Sequence, residues 1–279
     1  MNDLVELGPE AAPQIAAFTR VACAYDLLST TSVQRSVFAD PGAQTVLGAY
    51  DGGLDAVAVG VVRGERGFVK LLAVHPRVRR AGIGSRALER LEEFCADNGA
   101  GSVEVGNSAP YYVSPGVDVR TTESVCFYEA RGYRRYGEAV DLSIRLAGVP
   151  EPQLPTRLAD RGDLGRLVVW VDRFHPNWID ELTRGVELGN CVVHGDVGFA
   201  CVDVNREGCF GPTATHPDAR GTGVGTATLR AALHLMRSRG HEYATISWAA
   251  ALPFYVKNGA LISRVYWWYR KELPAAASP

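Results

Sequence analysis

The stretch VHPRVRRAGIG, Val74–Gly84, occurs a second time as THPDARGTGVG, Thr215–Gly225. One His, one Pro, one Arg and two Gly keep the same spacing in both copies, at a constant offset of 141 residues. Repetition of a spaced pattern is typical of a duplicated structural unit, whereas a single Gly-x-Gly has little meaning. The repeat therefore predicts two related domains, which a chain of 279 residues can accommodate.

A second repeated element follows each turn. FYEARGY begins at Phe127 and FYVKNGA begins at Phe254, with Phe, Tyr and Gly at matching places. The two elements are 14 residues further apart in the first copy than in the second. We assign this surplus to a loop rich in Pro, Gly and Tyr at residues 107–119.

A linker between the copies is indicated by AGVPEPQLP, residues 147–155, which holds three prolines and has no helical or strand periodicity. The predicted division has four parts. They are an N-terminal domain at residues 1–147, a Pro-rich linker at 148–155, a C-terminal domain at 156–274 and a flexible tail at 275–279.

Each repeated turn lies between a strand pattern and a helix pattern. Residues 67–74, GFVKLLAV, are rich in branched and aromatic side chains, as strands are, while residues 85–95 place apolar side chains on one face at helical spacing. Residues 209–215 and 226–237 repeat this order in the second copy. The motif is therefore predicted to be a strand, a Gly-rich turn and the start of a helix.

Such a turn is suited to a pyrophosphate, because the first amides of a helix have no intrahelical acceptor and lie at the positive end of its dipole. Two other phosphate-binding loops fit less well. A P-loop ends in Gly-Lys-Ser/Thr, and neither copy has that Lys. A dinucleotide fingerprint needs Gly-x-Gly-x-x-Gly and a later acidic residue, which the first copy lacks.

The Arg-x-x-Gly-x-Gly turn and the Tyr followed four residues later by Gly together resemble the GNAT superfamily of N-acetyltransferases. The resemblance covers nearly the whole chain, twice. It implies an α/β (α+β) fold of two tandem domains, each with a mixed, mostly antiparallel sheet flanked by helices. It also implies that acetyl-CoA, or another acyl-CoA, is the co-substrate, with its pyrophosphate on the turn.

The resemblance assigns cofactor-binding residues to both copies. In the first copy they are Leu72, Val74, Arg79, Arg80, Ala81, Gly82, Ile83, Gly84 and Ser85. In the second copy they are Thr213, Thr215, Arg220, Gly221, Thr222, Gly223, Val224, Gly225 and Thr226. We expect Arg79 and Arg220, the Arg residues shared by the two copies of the motif, to contact phosphate. The paired His75 and His216, each before a Pro at a strand end, are interpreted as structural.

Four residues are candidates for catalysis. The resemblance implies that Tyr128 and Tyr255 can protonate the departing thiolate as general acids. A protonated acceptor amine also needs a general base. Glu104, on a predicted strand, and Glu123, one helical turn before Phe127, are the candidates for that role in the first copy.

The amino-acid composition limits the kinds of partner that this protein can bind. A charged fraction of 22% and a net charge of −2 provide no basic excess for nucleic acid. The N-terminus lacks the pattern of a signal peptide and no stretch is long and apolar enough for a membrane span, so we expect a cytoplasmic protein without a membrane partner. The six cysteines contain no CxxC pair, which favours buried reduced thiols over a metal site.

The leading hypothesis is an enzyme that transfers an acetyl group from acetyl-CoA to an amine of a small molecule by direct attack. One alternative is an acyl-CoA-binding sensor or scaffold without turnover, and another is a protein N-acetyltransferase. The second copy is favoured as the catalytic centre because it lacks the extra loop. The sequence leaves the acceptor and the oligomeric state open.

Overall fold

The computed structural model describes residues 3–274, and the predicted tail at 275–279 lies outside the described residues. The described chain forms two compact units. The first contains residues 3–139 and 265–274, and the second contains residues 140–264. The chain passes from one unit to the other within β7 (Arg134–Arg145) and again within β13 (Leu261–Glu272).

The other elements of the first unit follow the chain order. They are β1 (Leu4–Glu6), α1 (Ala12–Ala22), α2 (Thr30–Val33), β2 (Ala43–Tyr50), β3 (Leu54–Arg63), β4 (Arg66–Val74), α3 (Ile83–Asp97), β5 (Ser102–Val105), β6 (Val117–Asp118) and α4 (Thr122–Glu129). The sheet order is β1-β2-β3-β4-β5-β13, with β6 also paired to β13. Only β4 and β5 pair in parallel among the described strands of this unit.

The second unit repeats this arrangement. Its elements are β8 (Arg157–Leu158), α5 (Arg161–Phe174), α6 (Ile179–Glu187), β9 (Cys191–His194), β10 (Gly198–Val202), β11 (Cys209–Thr215), α7 (Val224–Ser238), β12 (Tyr243–Ile246) and α8 (Leu252–Lys257). The sheet order is β7-β12-β11-β10-β9-β8, and only β11 and β12 are parallel in the described part of the unit. The mixed, mostly antiparallel sheet flanked by helices is therefore confirmed for both copies.

The helices cover both faces of each sheet. In the first unit α1 and α2 pack on one apolar cluster, and α3 packs on another at the opposite face. In the second unit α5 and α6 cover one cluster and α7 covers the other. The apolar face predicted for residues 85–95 is the buried face of α3, where Leu88 and Leu91 are almost fully buried.

The compact units divide the chain between residues 139 and 140 and between residues 264 and 265, whereas the predicted domains are separated by a linker at 148–155. Strand β7 follows the elements of the first copy, but its residues 142–145 pair with β12 in the second unit. Strand β13 ends the second copy, but its residues 269–272 pair with β5 in the first unit. A strand pattern in the sequence does not indicate which sheet the strand joins, because the alternation of apolar and polar residues is the same in both sheets.

The residues predicted to form a linker pack against the second unit. The backbone oxygen of Pro150 contacts His234 Nε2 at 3.2 Å, and that of Glu151 accepts a hydrogen bond from Arg230 at 3.4 Å.

One expectation about the cysteines is wrong: Cys126 is exposed on α4, because it lies on the face of this short helix away from Tyr128. Within residues 3–274, no helix has the length and apolarity needed to cross a membrane.

Replacement of Tyr269 tests the place of β13 in the first unit. Its ring is fully buried, it stacks on Tyr128 with ring centroids 6.2 Å apart, and its hydroxyl donates to Glu129 Oε1 at 3.0 Å. We expect Tyr269→Ala to lower the free energy of unfolding by about 3–5 kcal/mol, as truncation of a buried aromatic does. Urea denaturation measures this change.

Leu261→Ala is the matched control, because Leu261 lies on the same strand and its exposed fraction is 73%. We expect it to change the free energy of unfolding by less than about 0.5 kcal/mol. Equal effects of the two substitutions would contradict the pairing of β13 with the core of the first unit.

Candidate functional site

The repeated turn has the predicted geometry in both units. Gly82 and Gly223 lie at the N-caps of α3 and α7 with φ of 81° and 93°, in the left-handed region that favours glycine. No side chain caps either helix. The first amides of both helices, which have no intrahelical acceptor, therefore remain available at the positive end of the helix dipole.

The last glycine of each motif keeps the helix close to its neighbours. A Cβ added at Gly84 would lie 3.4 Å from Val74 and 3.5 Å from Phe127. A Cβ at Gly225 would lie 3.1 Å from Thr215 Oγ1 and 3.7 Å from Phe254. The FY element thus packs directly on the turn in each unit, which explains why the two sequence elements recur together.

The two His-Pro pairs have the structural role that the sequence indicated. The Nδ1 atom of His75 accepts a hydrogen bond from the backbone N–H of Arg77 at 3.2 Å, and Nδ1 of His216 accepts one from Asp218 at 3.3 Å. Each His therefore caps the short 3₁₀ turn between strand and glycines.

The parallel strands separate beside each turn. Pairing of β4 with β5 ends at Val69 and Val105, although β4 continues to Val74. Pairing of β11 with β12 ends at Phe210 and Ile246, and residues 211–215 of β11 have no partner strand on that side. The predicted positions 72, 74, 213 and 215 all lie on these separated segments, where backbone groups are open to a ligand.

The two tyrosines lie on the helices next to this gap. Tyr255 is buried against Phe210, the last paired residue of β11, with ring centroids 6.2 Å apart. Tyr128 is buried among Phe127, Tyr133 and Tyr269. Neither hydroxyl hydrogen-bonds to another residue in the part of the chain that the structure describes.

Burial sets the protonation of both phenols. It raises the pKa of Tyr255 to about 12 and also raises the pKa of Tyr128 above its ordinary value. Both hydroxyls are therefore protonated at neutral pH and can act as hydrogen-bond donors. Neither hydroxyl oxygen is among the fully buried, unpartnered polar atoms of the described residues, so each is accessible to a ligand although its ring is buried.

The turn arginines differ between the two units. Arg79 donates to the backbone oxygens of Val74 and Ala22, at 3.2 Å and 3.0 Å, and pairs with Glu123 at 2.9 Å. Arg220 is exposed, and its side chain forms no hydrogen bond or ion pair with any residue from 3 to 274. The guanidinium of the first turn is thus held by the protein, whereas that of the second is available to a phosphate.

The carboxylates predicted as bases are both engaged. Glu123 is the exposed partner of Arg79. Glu104 is fully buried, pairs with Arg270 at 2.7 Å and accepts a hydrogen bond from the Tyr136 hydroxyl. The structure does not bring either one together with Tyr128 through a hydrogen bond, and their role as bases stays a prediction.

A cavity of about 260 Å³ adjoins the second turn. Its lining residues are Gln153, Leu154, Thr222, Gly223, Thr226, Ala227, Arg230, Lys257 and Asn258. They include two cations and no carboxylate. The Nε atom of Arg230 is buried and has no hydrogen-bond partner among the described residues. This chemistry fits phosphate groups of an acyl-CoA.

A second orphaned polar atom marks the strand gap of this unit. The hydroxyl of Ser247, directly after the last residue of β12, is buried without a hydrogen-bond partner among residues 3–274. Ser247 and Arg230 could not be found from the sequence, because they lie outside the repeated elements and only the fold brings them near the turn. Lys257 lies within FYVKNGA, but the first copy has Ala130 at that place, so the repeat did not single it out.

Solved structures share this fold at low sequence identity. A glucosamine N-acetyltransferase region of a fungal multi-domain GH3 β-N-acetylglucosaminidase aligns with a TM-score of 0.77 and 18% identity over 97% of this chain, which spans 38% of that chain. A tandem GNAT protein from the clavulanic acid biosynthesis pathway has a TM-score of 0.76 and 16% identity, with all of both chains covered.

A GCN5-related N-acetyltransferase from Sphaerobacter thermophilus has a TM-score of 0.72 and 21% identity over 97% of this chain and 95% of its own. No curated protein sequence matches this one significantly. The sequence model of the acetyltransferase (GNAT) family matches twice, at residues 17–114 and 167–260. Each match contains one of the two glycine turns, so the chain belongs to the acetyltransferase (GNAT) family and is an acetyltransferase with two copies of the family's domain.

Proposed function

We propose that the chain transfers an acetyl group from acetyl-CoA to the amine of a small molecule, and that the second unit is the catalytic centre. The observation that carries this proposal is the difference between the two turns. In the second unit, an unengaged Arg220 and an uncapped helix adjoin a cavity with two cations. In the first, Arg79 is already bound by three protein groups.

The residues of the second unit would divide the work of binding. The first amides of α7 and Arg220 hold the pyrophosphate, and Arg230 and Lys257 bind a further phosphate in the cavity. The separated edge of β11 lies along the acyl arm and offers its backbone groups to the thioester. When bound, acetyl-CoA supplies an acetyl group activated as a thioester.

Tyr255 is the proposed general acid. Its hydroxyl is protonated at neutral pH and has no protein acceptor, so it can donate a proton to the departing sulfur. Its ring is fixed by Phe210 at the place where β11 and β12 separate. A rigid position next to the reacting atoms is what general acid catalysis requires.

A small-molecule acceptor is favoured by the near-neutral charge of −2, which offers no strong field for a highly charged macromolecule. Glucosamine, the amine named for the fungal structure with this fold, is an example of a small-molecule acceptor. Release of free thiol with a panel of small amines, and with peptides as the comparison, separates this proposal from a protein acetyltransferase. A sensor would bind acetyl-CoA and release no thiol with either.

Thr226→Glu tests which turn binds acetyl-CoA. Thr226 is the third residue of α7 and lines the cavity, so a carboxylate there repels phosphate while it remains favourable to the helix start. We expect acetyl-CoA affinity to fall at least about tenfold, or about 1.4 kcal/mol. Isothermal titration calorimetry measures the affinity.

Ser85→Glu places the same charge at the matching position of α3 and is the control. We expect it to leave the affinity unchanged. Loss of binding in Ser85→Glu with retention in Thr226→Glu would assign acetyl-CoA to the first unit instead.

Tyr255→Phe removes only the proposed acidic proton, because the hydroxyl has no protein partner and the ring remains. We expect kcat to fall about 10²-fold, within the range of general acid catalysis, with unchanged acetyl-CoA affinity. Tyr128→Phe makes the same change in the first unit and should leave kcat unaltered. Steady-state thiol release with both variants gives the result, and equal activity of wild type and Tyr255→Phe would remove Tyr255 from the mechanism.

A further inference from the structure

The central strand of each unit has a β-bulge at the same position. In the first unit Val59 pairs with Leu71 and Gly60 pairs with Val69, so Lys70 is the extra residue of β4. In the second unit Ala200 pairs with Thr213 and Val202 pairs with Phe210, which leaves two residues of β11 opposite one of β10. At the offset of 141, the position of Lys70 is occupied by Gly211.

Two cations fill the space beside this bulge in the first unit. Lys70 is buried, and its Nζ lies 2.7 Å from Oδ2 of the buried Asp40. Arg63, at the end of β3, also donates to both oxygens of Asp40. Burial by itself raises the pKa of Asp40, but the hydrogen bonds from Arg63 and the charge of Lys70 lower it below its ordinary value. Asp40 is therefore a fully paired carboxylate whose ionised form is favoured.

The second unit has neither cation. Ala56 and Gly198 hold matching places in β3 and β10. Arg63 follows Ala56 by seven residues, and Asn205 follows Gly198 by seven residues, so Asn205 takes the place of Arg63 in the second unit. A Cβ built at Gly211 would have no other atom within 4 Å. The bulge that Lys70 fills in the first unit is thus open in the second.

A carboxylate nevertheless lies on this side of the sheet, because Glu181 interacts electrostatically with Cys201, the residue of β10 opposite the bulge. The side-chain amide of Asn205 donates a hydrogen bond to Oε1 of Glu181, just as Arg63 donates to Asp40. Glu181 lies in the first turn of α6, on the sheet face where Cys201 also lies. It forms no ion pair with any residue between 3 and 274. Asn205 therefore holds Glu181 as Arg63 holds Asp40, although the two carboxylates come from different places in the chain and Glu181 has no paired cation in the described chain.

The surroundings of Glu181 favour its neutral form. Burial raises the pKa of Glu181 to about 7, and the negative charge of Asp180 raises it further. The hydrogen bond from Asn205 and the charge of Arg184 lower the pKa, but their effect is smaller than that of burial. From the sheet, the titratable neighbour is the buried thiol of Cys201. A carboxyl that titrates near neutral pH is matched to proton transfer from an ammonium group.

We propose that Glu181 is the general base that deprotonates the acceptor amine in front of the open bulge at Gly211. This inference rests on the proposed function and extends it to the acceptor side. One proton of the ammonium group moves to the Glu181 carboxylate, and the nitrogen lone pair forms the new N–C bond to the acetyl carbon. The C–S bond breaks, its electron pair goes to sulfur, and Tyr255 gives the sulfur its proton. The nitrogen then loses a second proton, which restores Tyr255, so one proton is released in total.

The titration of Glu181 can be measured without any substrate. We would label Glu side chains with ¹³C, assign the Glu181 carboxyl signal by its absence in Glu181→Gln, and follow it by NMR from pH 4 to pH 9. The expected midpoint is about 7. A midpoint in the ordinary range of an exposed Glu, about 4.3, would overturn the proposal.

Turnover gives the second readout. For Glu181→Gln we expect kcat to fall about 10²- to 10⁴-fold with unchanged acetyl-CoA affinity, and the decline of kcat below pH 7 to disappear. Glu181→Asp, which keeps the carboxylate, should recover part of the rate. Glu187→Gln is the control, because Glu187 is exposed at the other end of α6. It should keep both the rate and the pH profile of the wild type.

The outcomes separate the two proposals. If the wild type releases no thiol with any amine, the proposed function fails, and the NMR midpoint still decides whether Glu181 is held near neutral pH. If the wild type turns over and Glu181→Gln keeps its rate and its decline below pH 7, the inference fails alone. If Glu181→Gln does not fold, as judged by thermal melting, the decision passes to Glu181→Asp and to the wild-type titration.

Discussion

The separation of two parallel strands is the constraint on which the rest of each unit depends. Parallel pairing stops after a few residues while the inner strand continues, so that strand has one edge without a partner. An unpaired backbone edge next to an uncapped helix is costly unless something binds there. The glycine turn makes the arrangement possible, since its left-handed residues bring the strand end and the helix start together within a few positions.

The two units keep this backbone and differ in the side chains around it. In the first unit, protein groups occupy the ligand positions: Arg79 is bound to Glu123, and the bulge is filled by Lys70 with its carboxylate partner. Burial lowers the pKa of Lys70 to about 8. The negative charge of Asp40 opposes this decrease, because it pairs with the ammonium group of Lys70. We interpret the first unit as a support in which internal ion pairs have replaced ligand contacts.

In the second unit the same positions are left open. Glycine stands at the bulge, and the amide of Asn205 follows β10. The side chain of Arg220 has no hydrogen-bond or ion-pair partner among the described residues. Buried ion pairs need close mutual partners, and removal of the cations leaves a carboxylate that accepts a proton more readily. The absence of the two cations therefore fits the proposed role of Glu181, whereas Asp40 is held as a structural ion pair.

Much of this could be predicted from the sequence. The repeated motif indicated the strand, turn and helix of both copies, and the bounds of β11 agree with the predicted strand at residues 209–215. The exchange of β7 and β13 could not be predicted, because the choice of sheet depends on the whole fold. Glu181 could not be found either, since it lies 28 residues before β11 and only packing brings it to Asn205.

The most direct measurement is diffraction from crystals grown with acetyl-CoA. We expect difference density for one molecule per chain, with its pyrophosphate at residues 221–226 and its acetyl group between Tyr255 and the edge of β11. Density at residues 80–85 with an empty second turn would contradict the central claim that the second unit is the catalytic one.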